Sequence, residues 1–161
     1  MGIKRTRANA AWASTSALRV ERLQPSFMLH IHEATVRLFL HVLAATVWVG
    51  GQLTLAGLVP TLKRLGPDAP KAVARQFNRI AWPAFGVLVA TGIWNLYDVD
   101  ITSSGPRYQM TVAIKLLFVT ASGVGAAVHS RGRTAIAFAA GGAAASIGAL
   151  GALFLGVLLR S

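Results

Sequence analysis

The chain contains no cysteine. That absence excludes disulfides, thiolate metal sites and CxxC redox chemistry. Acids are scarce as well: 5 Asp and Glu stand against 16 Lys and Arg, for a formal net charge of +11. No acid pair, no nucleophile with a neighbouring base and no phosphate-cradling loop is recognisable. Alternation with period two is missing, which argues against an outer-membrane barrel. No internal repeat is evident. The stretch "ANAAWASTSAL" near the start is too polar for the core of a cleaved secretory signal.

What is present is apolar length. Hydrophobic residues make up 54% of the chain, and the mean hydropathy is +0.55. Apolar stretches of about 18 residues or more read as membrane helices. Four such stretches occur, at about 36–59, 80–97, 109–129 and 135–159. Backbone groups in lipid need internal partners, so the spans are helices. The prediction is an all-α fold, an integral membrane four-helix bundle of up-down-up-down topology covering 33–161. Residues 1–32 form a basic tail, disordered or a weak surface helix, with Lys4, Arg5, Arg7, Arg19 and Arg22 against Glu21. Met1 and Met28 are both open as translation starts.

The basic residues flank the spans instead of forming one face of a domain, which points to lipid head groups and away from nucleic acid. The segment 60–79 reads as a loop. It carries Lys63, Arg64, Lys71, Arg75 and Arg79 against Asp68, with "GPDAP" as a breaker and "KAVARQFNRI" as a surface helix running into the second span. The next loop has Asp98, Asp100 and only Arg107, and the last, 130–134, has Arg131 and Arg133. The positive-inside rule then places 60–79 and 130–134 on the cytoplasmic side of a bacterial inner membrane.

Two spans carry polar stripes. With Glu33 as zero, Arg37, His41, Trp48 and Gln52 fall near about 40°, 80°, 60° and 100° on a helix advancing about 100° per residue. On the third span Tyr108, Lys115, Ser122 and His129 recur at heptad spacing, and with Thr111 they fit an arc of about 60°. Polar groups turned to lipid are costly, about 3 kcal/mol for a central lysine on insertion scales, so the stripes line the bundle interior. The first and third spans run the same way. His41 and Lys115 therefore share a leaflet, joined by Trp94, Asn95 and Tyr97 from the end of the second span. Asp98 and Tyr97 are candidate partners for Lys115. His129 lies about 21 Å from Lys115 along the axis, so it and His41 do not clasp one metal or haem between them. His30 and His32 make a weak HxH metal candidate. The fourth span carries Gly141 with Ala145, and Gly148, Ala152 and Gly156, a small-residue face for close packing in the bundle, in a homo-oligomer or on a partner membrane protein.

"LHVLAATVWVGGQLTLAGLVP", "FNRIAWPAFGVLVATGIWN" and "IKLLFVTASGVGAAVHSRGR" together resemble the copper-resistance protein D (CopD) family, over about residues 34–159. The resemblance implies copper transport or tolerance. His41 would be the leading copper ligand, Lys115 its charged neighbour, His129 a second metal station, and Trp48 a further family position. The methionines are Met1, Met28 and Met110, so imidazole is the eligible ligand, although soft sulfur ligands suit Cu(I) better. The same pattern is similar to the four-span HemJ-type protoporphyrinogen oxidase family, which binds haem b. That similarity implies His41 on the iron, Trp48 and Phe85 against the macrocycle, and Arg37 or Lys115 near a propionate. A third expectation is a non-enzymatic accessory membrane subunit, suited by the Gly/Ala face and the lack of a catalytic constellation.

Overall fold

The computed structural model describes residues 32–99 and 101–160. The calls on residues 1–31, including the tail, Met28 and His30, lie outside the described residues, as does Asp100. Four helices are long and apolar enough to cross a membrane: α1 (Glu33–Leu65), α2 (Ala69–Asp98), α3 (Pro106–Arg131) and α4 (Ala135–Leu158). The described residues contain no strand. Large apolar side chains such as Phe39, Leu117, Ile136 and Phe154 point outward, as lipid-facing residues do.

The helices exceed the expected spans mainly across 60–79: α1 continues past the expected end at 59, which corrects the loop expected over 60–65, whereas the helix expected over "KAVARQFNRI" and running into the second span is present. α1 runs through Pro60 to Leu65, Gly66–Asp68 make the turn, and "KAVARQFNRI" is continuous with the second span. Gly66 has φ 153°, a backbone state that side chains disfavour, and this ends α1. Pro70 sits in the first turn of α2, where its missing N–H costs nothing. Lys63 and Arg64 thus end one helix, and Lys71, Arg75 and Arg79 begin the next. At the other turn on this side, the Thr134 side chain caps α4 by accepting from the Ala137 N–H at 3.1 Å.

α1 is not regular. Thr46–Gly50 forms a π-helical turn, entered where the Thr46 hydroxyl donates to the Val42 carbonyl at 2.9 Å. Such wide turns change which face a helix presents and gather at functional sites. Here Trp48 and Val49 are both buried. They join Ala81, Ala149, Phe77, Phe85, Leu88 and Ala126 in the core. Trp48 packs on Phe85 with ring centroids 4.4 Å apart and meets Trp82 edge-on at 5.7 Å. Gly123 of α3 takes the tip of Phe85, because a Cβ there would lie 2.8 Å from it. This aromatic waist is where the α1–α2 hairpin meets the α3–α4 hairpin.

Within the second hairpin the small-residue face of α4 lies on α3. A Cβ on Gly125 would stand 2.5 Å from Ala145 N, and one on Gly148 would stand 2.7 Å from Phe118 O. The face that also suited a homo-oligomer or partner is therefore used inside the bundle: Gly141, Ala145 and Gly148 are buried there.

Candidate binding site between the hairpins

The waist fixes the depth of everything above it. Trp48 Nε1 donates to Ser122 Oγ at 3.0 Å, and that hydroxyl donates to the Ala145 carbonyl at 2.9 Å. Three helices are pinned at one level, and Ser122 is only 2% exposed. His41 precedes Trp48 by as many residues as Lys115 precedes Ser122. Both therefore stand about 10 Å up the axis from that hydrogen bond, at matching height. The two polar stripes face one another across the seam.

His41 is held by α2. Its Nδ1 lies 2.8 Å from Thr91 Oγ1. The Thr91 hydroxyl carries one proton and is 2.7 Å from the Val87 carbonyl and 3.2 Å from that of Leu88. A carbonyl only accepts, so the hydroxyl donates to it and its oxygen accepts from His41 Nδ1–H. In the neutral ring the lone pair is then on Nε2, and the described residues give Nε2 no side-chain partner. A fixed Nδ1–H with an open Nε2 is the arrangement that metal-ligating histidines use. Gly92 lets the ring edge lie against α2: a Cβ there would stand in van der Waals contact, 3.5 Å from His41 Cε1.

Lys115 lies on α4. Its Nζ is 3.3 Å from where a Cβ on Gly156 would stand. Lys115 and Arg160 are cations that act on His41 through space, and Arg160 acts on Lys115 too. No carboxylate pairs with either cation among the described residues. The expected pairing of Lys115 with Asp98 is corrected. Asp98 forms an ion pair with Arg37 Nη1, and Arg37 Nε donates to Asn95 Oδ1 at 2.9 Å. The Arg37 guanidinium also lies 5.4 Å from the centre of the Trp94 ring, while Tyr97 is exposed. Arg37 reaches Asp98 first because antiparallel pairing from the short Gly66–Asp68 turn brings the start of α1 against the end of α2.

The remaining stripe residues are less involved. Tyr108 is half-buried, two turns before Lys115. Gln52 lies beyond the waist, with Nε2 buried and without a hydrogen-bond partner. His129 is at the opposite end. Its Nδ1 donates to the Phe138 carbonyl at 2.8 Å, and its ring stacks on Phe138 at 3.9 Å. The packed waist stands between the two histidines. Among the described residues no group of three or more His, Cys, Asp and Glu could hold a metal ion.

Trp48 was expected against a macrocycle. It is 3% exposed and engaged by Trp82, Phe85 and Ser122, so it forms the floor of the site. Thr91, Gly92, Gly156 and Arg160 were not anticipated as site residues. The Thr91–Gly92 pair was visible as part of the resemblance, and Arg160 as the one basic residue after the last span. Comparison with protein-family models, with curated proteins and with solved structures finds no match.

Proposed function

We propose that this protein is a multi-pass protein of a bacterial inner membrane that binds haem b through His41, with the basic segments 60–79 and 130–134 in the cytoplasm. The observation that carries this reading is the environment of one imidazole. Nδ1 is fixed as a donor by Thr91, and the charges around the ring are two cations without an acid. Such a site suits a ligand that needs one axial nitrogen and brings its own negative charge. Haem b is that kind of ligand: its iron takes imidazole, and its propionates are anionic. When bound, it would supply one-electron or oxygen chemistry. The chain's part is to orient His41 and to close the site below with Trp48, Phe85 and Ser122.

Copper handling is the second reading, favoured by the resemblance of three spans to the copper-resistance protein D family. His41 and His129 would be its stations. The donor set fits a bare copper ion poorly. There is one imidazole, no second ligand beside it, and two like charges nearby. The waist also closes the route between the two histidines. An accessory subunit is the third reading.

Purification from membranes followed by an absorbance spectrum and metal analysis separates the three. The haem reading expects a Soret band with iron in proportion. Copper without a Soret band would support the second reading. Neither, with a membrane protein co-purifying in fixed ratio, would support the third.

A further inference from the structure

Three further basic groups share the seam with His41, namely Arg37, Lys115 and Arg160, while Arg107 at the same end is exposed. Arg37 is already engaged by Asp98 and Asn95. Lys115 and Arg160 have no acidic partner among the described residues. A lysine inside a span without a counter-charge is costly, and an anionic partner from outside the chain would offset that cost. Its position is built. Gly156 gives the ammonium its place on α4, since a Cβ there would stand 3.3 Å from Nζ and 3.7 Å from Cε. Arg160 follows the last turn of α4, its backbone N–H donating to the Val157 carbonyl at 2.9 Å. Both cations thus lie by the same end of one helix, on the side of the seam opposite His41 and Thr91.

We propose that Lys115 and Arg160 form a clamp for the carboxylate groups of the ligand that His41 holds. The inference rests on the haem reading and assigns the propionates to α3 and the end of α4, leaving Arg37 outside. Two cations carried by different helices suit two carboxylates on one edge of a flat ligand. Charge-assisted contacts of this kind are among the stronger hydrogen bonds. The competing use of the pair is to hold a lipid phosphate.

The test is a binding titration on the full chain in phosphatidylcholine nanodiscs, followed by the Soret band, with haem b and with its dimethyl ester. The ester keeps the iron and loses both negative charges. The expected result is about 10- to 100-fold tighter binding of haem b, the usual range for charge-assisted hydrogen bonds. Lys115→Gln with Arg160→Gln should abolish that difference by weakening haem b and leaving the ester unchanged. The wild-type comparison needs no variant, so a misfolded mutant does not decide the matter. Equal affinities with a Soret band that depends on His41 would overturn the clamp and leave the haem reading standing. A difference that persists in the double variant would place the carboxylates elsewhere and also overturn the clamp. A difference absent in phosphatidylcholine nanodiscs but present in phosphate-free maltoside micelles would assign the pair to lipid phosphate in the membrane and overturn the clamp there. No saturable shift of the Soret band with either compound would remove the haem reading and the clamp with it.

Discussion

Where α3 meets α4, backbone lies on backbone. Gly125 faces the Ala145 amide, Gly141 faces His129, and Gly148 faces the Phe118 carbonyl and the Ser122 amide. Where α1 meets α2, side chains intervene. Arg37 reaches Asn95 and Asp98, His41 reaches Thr91, and Phe77 lies over Gly51. Lipid tails are as apolar as leucine, so burial does little to drive helices together, and close packing and polar contacts must. One hairpin uses the first and the other uses the second. The packed hairpin has no room for a ligand along its own seam. The polar one carries an imidazole whose second nitrogen remains open. The site therefore lies where the two kinds of hairpin face each other, above the one level at which they are bolted by Trp48 and Ser122.

The largest effect is expected from adding bulk to the packed hairpin. Gly148→Val places a side chain into backbone atoms that cannot rotate away. Overpacking of this kind costs typically about 1–3 kcal/mol and more where nothing can shift. Loss of the monodisperse folded species in a thermal stability screen is the readout. A wild-type melting curve would show that the helices are not this close.

Next comes the bolt between the hairpins. Ser122→Ala leaves the Trp48 indole N–H without its acceptor, and about 1 kcal/mol should be lost, within the range for hydrogen bonds between membrane helices. Unfolding in mild detergent measures this, and Trp48→Phe in the same background should add little through this bond. Additive losses in that cycle would mean that the two side chains do not interact.

A smaller effect is expected for Arg37 and Asp98. Asp98 is 44% exposed on its side chain, so solvent screens the pair, and a double-mutant cycle of Arg37→Met with Asp98→Asn should give a coupling of about 1 kcal/mol or less. High salt should reduce it further. Smallest of all is His129→Gln, which loses one hydrogen bond to Phe138 and a ring stack near a helix end. About 0.5 kcal/mol is expected, within the span measured for polar contacts between membrane helices. A much larger loss would give this end a role beyond packing.

The spans were legible because hydropathy needs only composition and length. The inward stripes were legible because heptad spacing keeps Lys115, Ser122 and His129 on one face of α3. The partner of His41 was not. Ending the first span at Val59 hid the register of α1 against α2. Counted outward from Pro67, His41 and Thr91 lie at nearly equal distances, as do Arg37 and Asn95. A short turn would have shown those pairs before any coordinates. The π turn at Thr46–Gly50 had no comparable signal, because no single residue there forces it. Arg160 was passed over because it follows the last apolar run, where a basic residue is ordinarily a lipid-facing flank.

The two histidines offer the most direct test of the account. His41→Ala and His129→Ala are purified in parallel with the wild-type protein and their Soret absorbance per chain is compared. Loss of the band in His41→Ala and retention in His129→Ala are expected, because His41 stands at the seam between the hairpins beside Lys115 and Arg160, whereas His129 is stacked on Phe138 at the opposite end. Equal retention in both variants, or loss confined to His129→Ala, would contradict the account.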